Sequence, residues 1–128
     1  MRILLDTCTF LWLVEDSPRL SATARAEHLD PDNEVFLSAV SVWEIGVKHG
    51  LGKLTLPEGP AVLVPKHRAA LKLTALPFDE SAALFAHKLP SHHRDPFDRM
   101  LVCQALAGGL TILTPDPWIA ACPVKTLW

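Results

Sequence analysis

Arg2-Ile3-Leu4-Leu5-Asp6 is the stretch on which the fold turns. An aliphatic run with no polar alternation predicts a short strand buried on both faces, as in a parallel sheet. Asp6 then places a carboxylate where that strand ends, and burial of a carboxylate is costly unless it is paired or holds a metal. Thr9 to Glu15 reads as a helix ending near Asp16-Ser17-Pro18, and Ser21 caps a second helix running to about Leu29. Pro31-Asp32-Asn33 is a turn, and Val35 to Ala39 is a second buried strand.

The same alternation continues to the end of the chain. Ser41 to His49 reads as a helix stopped by Gly50 and Gly52. Leu54 to Pro57 is extended, Ala61 to Leu71 helical despite Pro65, and Leu73 to Leu76 a brief strand. Asp79 caps a helix running to Leu89, and Pro90 to Arg94 is a loop. Asp95-Pro96 opens a helix ending at Gly108-Gly109; Thr111 to Leu113 and Val124 to Leu127 are further strands. Strands alternating with helices predict an α/β fold with a central parallel sheet covered by helices on both faces. No repeat or long linker divides residues 1–128, and 128 residues suit one domain.

Composition narrows the classes. Hydrophobic residues make up 49%, which excludes a disordered chain, and no apolar run is long enough for a membrane span. Met1 to Val14 carries Asp6 in its middle and lacks the features of a signal peptide, so the cytoplasm is the expected compartment. Cys8, Cys103 and Cys122 show no C-x-x-C spacing and read as free thiols in a reducing compartment. The net charge of −2 becomes +2 once Asp6, Glu44, Asp98 and Asp116 are set aside, so charge neither supports nor excludes a nucleic-acid substrate.

In open parallel sheets, ligands bind beyond the carboxyl ends of the strands. Asp6 and Asp116 each follow a strand, and Glu44 and Asp98 lie in the first turns of helices. Each acid also has a purely structural reading. Asp6 could cap the helix near Thr9, and Asp116 in Thr114-Pro115-Asp116-Pro117 could be a turn residue or a cap. Ser41-Val42-Trp43-Glu44 matches the S-x-x-E capping box, which makes capping and catalysis equal readings for Glu44. Asp95 reads first as an N-cap with Pro96 at the first helical position, and otherwise as an extra acid; Asp98 is left to point across the sheet edge. Capping does not require the acids to meet, whereas metal chemistry does. An all-carboxylate site suits Mg²⁺ or Mn²⁺ rather than zinc.

Two other chemistries fail on detail. Asp6-Thr7-Cys8-Thr9 lacks the second Asp of the D-x-D-x-T motif of haloacid-dehalogenase-type phosphatases, and no phosphate-cradling glycine motif occurs. His92 and His93 read as loop residues suited to phosphate contact rather than metal ligation. Trp12, Trp43, Trp118 and Trp128 are expected in the core or at a partner interface.

Leu4-Leu5-Asp6-Thr7, Val42-Trp43-Glu44-Ile45, His92-His93-Arg94-Asp95-Pro96-Phe97-Asp98-Arg99 and Leu113-Thr114-Pro115-Asp116 occur in that order. Together they resemble the PIN domains of bacterial VapC-type toxins, a likeness that includes Gly52-Lys53-Leu54 and the Trp128 end. The resemblance implies a three-layer α/β/α sandwich and a Mg²⁺- or Mn²⁺-dependent endoribonuclease that leaves 5′-phosphate and 3′-hydroxyl ends. It also implies a homodimer neutralised by a cognate antitoxin protein. Asp6, Glu44, Asp98 and Asp116 match the family's four acidic positions, with Asp6 and Asp98 as the main metal ligands. Thr7, Lys48, Lys53, His92, His93, Arg94 and Arg99 are candidate contacts to RNA, Arg99 alternatively pairing with an acid. Cys8 departs from the His often found there, which bears on substrate positioning more than on hydrolysis. The alternative is a catalytically inactive binding module of the same fold that acts through a protein partner.

Overall fold

The structure is a computed structural model and describes residues 1–90 and 95–128. Five strands, β1 (Arg2–Leu5), β2 (Glu34–Ser38), β3 (Thr74–Leu76), β4 (Thr111–Leu113) and β5 (Lys125–Leu127), form one sheet in the order β3-β2-β1-β4-β5. Every neighbouring pair is parallel. β1 lies at the centre, with Leu4 opposite both Phe36 and Ile112. This placement is why its aliphatic run has no polar face.

The pleat sends alternate residues of β1 to opposite sides. Ile3 and Leu5 join Val35, Leu37 and Leu113 in one core, closed by Phe10, Ile45, Leu63 and Val64. Leu4 joins Phe36 and Ile112 in a second core, closed by Leu101, Val102, Ala105 and Ile119. The first core is roofed by α1 (Thr7–Val14), α2 (Ala22–Leu29), α3 (Ala39–Gly50) and α4 (Pro60–Ala70). The second is roofed chiefly by α6 (Pro96–Gly108) and α7 (Pro117–Ala121), and the short α5 (Glu80–Ala83) packs on α6. The result is the expected three-layer α/β/α sandwich.

The departures from expectation are local. α1 begins at Thr7 rather than Thr9, and Asp6 is its N-cap, accepting from Thr9 N. β2 runs one residue earlier and passes directly into α3, for which Ser38 is the N-cap, accepting from Val40 N. Ser41 is therefore inside the helix, and the capping-box reading of Glu44 is overturned. The single helix expected from Asp79 to Leu89 is instead α5 followed by a 3₁₀ turn at Ala86–Lys88. At the break the hydrogen bonding tightens, Phe85 N donating to Ala82 O and Leu89 N to Ala86 O, and the Arg99 guanidinium donates to the carbonyls of Ala86 (3.5 Å) and Pro90 at the far end of the turn. Pro65 lies inside α4, and the carbonyl it leaves without a helical donor belongs to exposed Ala61, where water can serve.

Trp12 and Trp128 pack together at 5.7 Å between ring centroids, and Trp118 lines the second core. Trp43, by contrast, is 68% exposed on α3. Among the described residues no helix is long and apolar enough to cross a membrane.

Candidate active site

The carboxyl edge of the central strands collects the acids. β1 delivers Asp6, which is 4% exposed. Its Oδ1 accepts from Thr9 N at 2.8 Å and from the Cys8 thiol at 3.4 Å, while Oδ2 accepts from the Thr114 hydroxyl. The Thr114 hydroxyl in turn accepts from Asp116 N at 3.0 Å. One side chain thus ties the ends of β1 and β4 together. Asp116 caps α7 through Oδ1, which accepts from Trp118 N at 2.8 Å.

Glu44 is buried, at 5% exposed, and is held from two sides. Thr7 Oγ1 lies 2.6 Å from Glu44 Oε1 and 2.9 Å from Ser41 Oγ. A hydroxyl has one proton to give, so Thr7 donates to the carboxylate and Ser41 donates to Thr7. Lys48, one turn further along α3, donates to Glu44 Oε2. Asp95 Oδ1 caps α6, accepting from Phe97 N at 2.9 Å and Asp98 N at 3.3 Å. Asp98 stands in the first turn of that helix.

The electrostatics show that these acids share one neighbourhood. Burial pushes the Asp98 carboxyl up, and the charges of Asp95, Asp116, Glu44 and Asp6 push it further, to about 8. The opposite effect acts on Lys48. Burial pulls its ammonium down, but the Glu44 hydrogen bond and the charges of Glu44, Asp95 and Asp98 outweigh that and leave it raised. The Cys8 thiol is driven up by burial and by Asp6, which keeps it protonated and a poor nucleophile. Among the described residues no three His, Cys, Asp or Glu side chains form a ready metal-holding group. The acids therefore converge as a field of like charge, with several of their oxygens engaged by hydrogen-bond donors.

Capping and convergence coexist: Asp6, Asp95 and Asp116 each cap a helix, yet Asp6 and Asp116 also act on Asp98 with Glu44 and Asp95. Thr7, expected at the substrate, is buried and commits its hydroxyl to Glu44, so it positions a carboxylate instead. Lys48 is paired with Glu44, Lys53 is exposed, and Arg99 holds backbone carbonyls rather than an acid. His92, His93 and Arg94 lie outside the described residues. Sequence reasoning missed Ser41 and Thr114 as site-building hydroxyls. It also missed Ser38, which donates to Gln104 Oε1 at 2.6 Å and ties β2 to α6. Their signal was present only as ordinary Ser and Thr near strand ends.

A parallel α/β/α sandwich whose carboxylates gather at the carboxyl edge of its central strands is the class that fold and site define. The chain belongs to the PIN-domain family, whose model matches residues 3–121. Over 52 residues the chain is 48% identical to Ribonuclease VapC16 of Mycobacterium tuberculosis, a match covering 38% of this chain and 37% of that protein. Among solved structures, it resembles a chain of VapBC2 from Rickettsia felis bound to a promoter DNA fragment. The TM-score is 0.76 at 17% identity, covering 100% of this chain and 99% of the other. A chain of FitAcB from Neisseria gonorrhoeae superposes with a TM-score of 0.67 at 25% identity, covering 98% and 96%. A chain of DNA-bound VapBC from Salmonella typhimurium gives 0.70 at 17% identity, covering 99% and 97%.

Proposed function

We propose that this protein is a divalent-metal-dependent endoribonuclease, the toxin of a toxin–antitoxin pair. The observation that carries the proposal is the convergence of Asp6, Glu44, Asp95 and Asp116 on Asp98. The α6 cap alone brings Asp95 beside Asp98, but nothing in helix capping requires carboxylates from three other segments, Asp6, Glu44 and Asp116, to crowd it as well. A fold that tolerates such crowding is suited to a cation, and the donor set is entirely hard oxygen, which fits Mg²⁺ or Mn²⁺. The name of the mycobacterial relative supports ribonuclease activity, and the complexes containing the structural neighbours support an antitoxin partner.

In this reading Asp6 and Asp98 would hold the principal ion, and Glu44 and Asp116 would contribute further carboxylate oxygens. Such an ion, when bound, polarises the phosphodiester and acidifies water at neutral pH. The chain's own contribution is to orient those oxygens. Thr114 turns Asp6, Thr7 and Ser41 turn Glu44, and the α6 cap at Asp95 holds Asp98 at the edge. Arg94, His92 and His93, which lie outside the described residues, are the proposed contacts to the RNA backbone, Arg94 supplying a positive charge for a phosphate. The apolar face of Trp43, Val47 and Val62, exposed on α3 and α4, supports a protein partner, either a second copy or the antitoxin.

The test is cleavage of a mixed RNA pool by the purified protein with Mg²⁺ or Mn²⁺, with EDTA, and by the Asp6→Asn variant. Degradation by the unaltered protein alone, stopped by EDTA and restored by the ion, is the expected result. Cleavage that survives the chelator, or that Asp6→Asn performs equally well, removes the proposed site. An intact pool in every arm favours the binding module.

A further inference from the structure

We propose that Lys48 is the resident counter-ion of Glu44, which an incoming divalent cation must displace, so that Lys48 sets the affinity of the protein for its metal. The inference rests on the nuclease reading above and adds a residue to it.

Three observations carry it. First, the two oxygens of Glu44 are engaged by donors of different kinds. Oε1 takes a neutral hydroxyl from Thr7 at 2.6 Å, and Oε2 takes the Lys48 ammonium. A neutral donor adds no repulsion toward a cation, whereas an ammonium on the same carboxylate repels it directly. Second, Lys48 stands within the whole cluster, because Asp95 and Asp98 act on its charge as well as Glu44. It already offsets part of the negative field that a metal would neutralise.

Third, the pair is asymmetric in burial. The Lys48 side chain is 42% exposed and that of Glu44 only 6%. The ammonium can therefore exchange its partner for water by turning its flexible stem, while the carboxylate stays in place. Metal entry then needs movement of one surface side chain and no rearrangement of the core.

The test is Mn²⁺ binding without RNA, followed by the loss of the free-ion electron-spin signal. Lys48→Met keeps the aliphatic stem and removes the charge; it is expected to bind Mn²⁺ at least about threefold more tightly than the unaltered protein. Lys48→Arg is expected to retain the original affinity. Lys125→Met removes an equal charge from β5, opposite Thr111 at the start of β4 and so at the far edge of the sheet, and is also expected to leave affinity unchanged. Equal or weaker binding by Lys48→Met overturns the role given to Lys48. Absence of saturable Mn²⁺ binding by the unaltered protein overturns the nuclease reading and this inference together. Should Lys48→Met fail to fold, reductive methylation of the unaltered protein with isotope-labelled formaldehyde gives a second reading. The Lys48 methyl resonance is expected to shift as Mg²⁺ binds, and a resonance unmoved at saturation overturns the proposal.

Discussion

Thr114 donates its hydroxyl to Asp6 across a separation of 108 positions in the chain, and the same oxygen accepts from Asp116 N. The carboxylate that ends β1 is thereby aimed by a residue that ends β4. Both are buried, Thr114 at 3% exposed, so water cannot replace either partner cheaply.

Replacing Thr114 with Val removes that donor while keeping the shape of the side chain. The buried Asp6 oxygen is left short of a partner, and the expected loss of stability is about 1–3 kcal/mol. Chemical denaturation measures it, and a loss below ~0.5 kcal/mol would show that Asp6 finds another donor. Cleavage by this variant is expected to fall as well, because Asp6 is no longer held at the edge.

Asp6 has two duties that substitution separates. Asp6→Asn keeps an acceptor for Thr9 N, so it should melt close to the unaltered protein while losing cleavage by on the order of a hundredfold or more. Asp6→Ala loses both duties and should cost a further ~1 kcal/mol through the missing cap. Similar melting of the two variants would show that the cap contributes little to stability.

The raised Asp98 carboxyl predicts a pH-dependent stability of the metal-free protein. Its folded value of about 8 lies above the ordinary carboxylate value of 3.8, so the fold favours the protonated form. The stability linked to Asp98 is therefore complete below about pH 4 and is lost as pH rises through about 8. Asp98→Asn cannot acquire the charge. Its advantage over the unaltered protein should be small near pH 5 and grow to roughly 1–3 kcal/mol near pH 9, after allowance for solvent screening. Melting curves in EDTA across that range measure the difference, and a constant difference would place Asp98 outside the acidic field. Adding Mg²⁺ should narrow the gap at high pH.

Gly109 ends α6, the helix that carries Asp98, with φ of +64° and ψ of +37°. A Cβ there meets no atom within 4 Å, so the obstacle is the left-handed backbone itself. Gly109→Ala should cost about 1–2 kcal/mol by denaturation and leave cleavage unchanged. A neutral effect on stability would mean that the cap can relax into another conformation.

The aliphatic run before Asp6, the short apolar runs at Val35 and Thr111, and the capped helices between them were enough to read a parallel sheet. They were also enough to place Asp6 and Asp116 at its carboxyl edge. Periodicity and capping are properties of neighbouring residues, so they survive in a one-dimensional record. The start of α3 shows where that record ends. Ser41 and Glu44 satisfy a capping pattern, but Ser38 takes the cap and Ser41 turns inward to Thr7. Local propensity admitted both starts, and the packing of β2 into α3 selected one. The contact from Arg99 on α6 to the carbonyls of Ala86 and Pro90 was likewise not legible along the chain.

The same division holds for the acids. Their chemical kind and their order along the chain were legible, and so was their tendency to fall at strand and helix ends. Whether they felt one another was not, because Coulomb interaction depends on distance in space, and segments remote in the chain become near neighbours only when the sheet is assembled. Folding adds three remote carboxylates, Asp6, Glu44 and Asp116, to the local Asp95 around Asp98, and gives Glu44 two donors of unlike charge. The strands were written locally; the negative field and the hydroxyls that aim it exist only once distant parts of the chain are packed together.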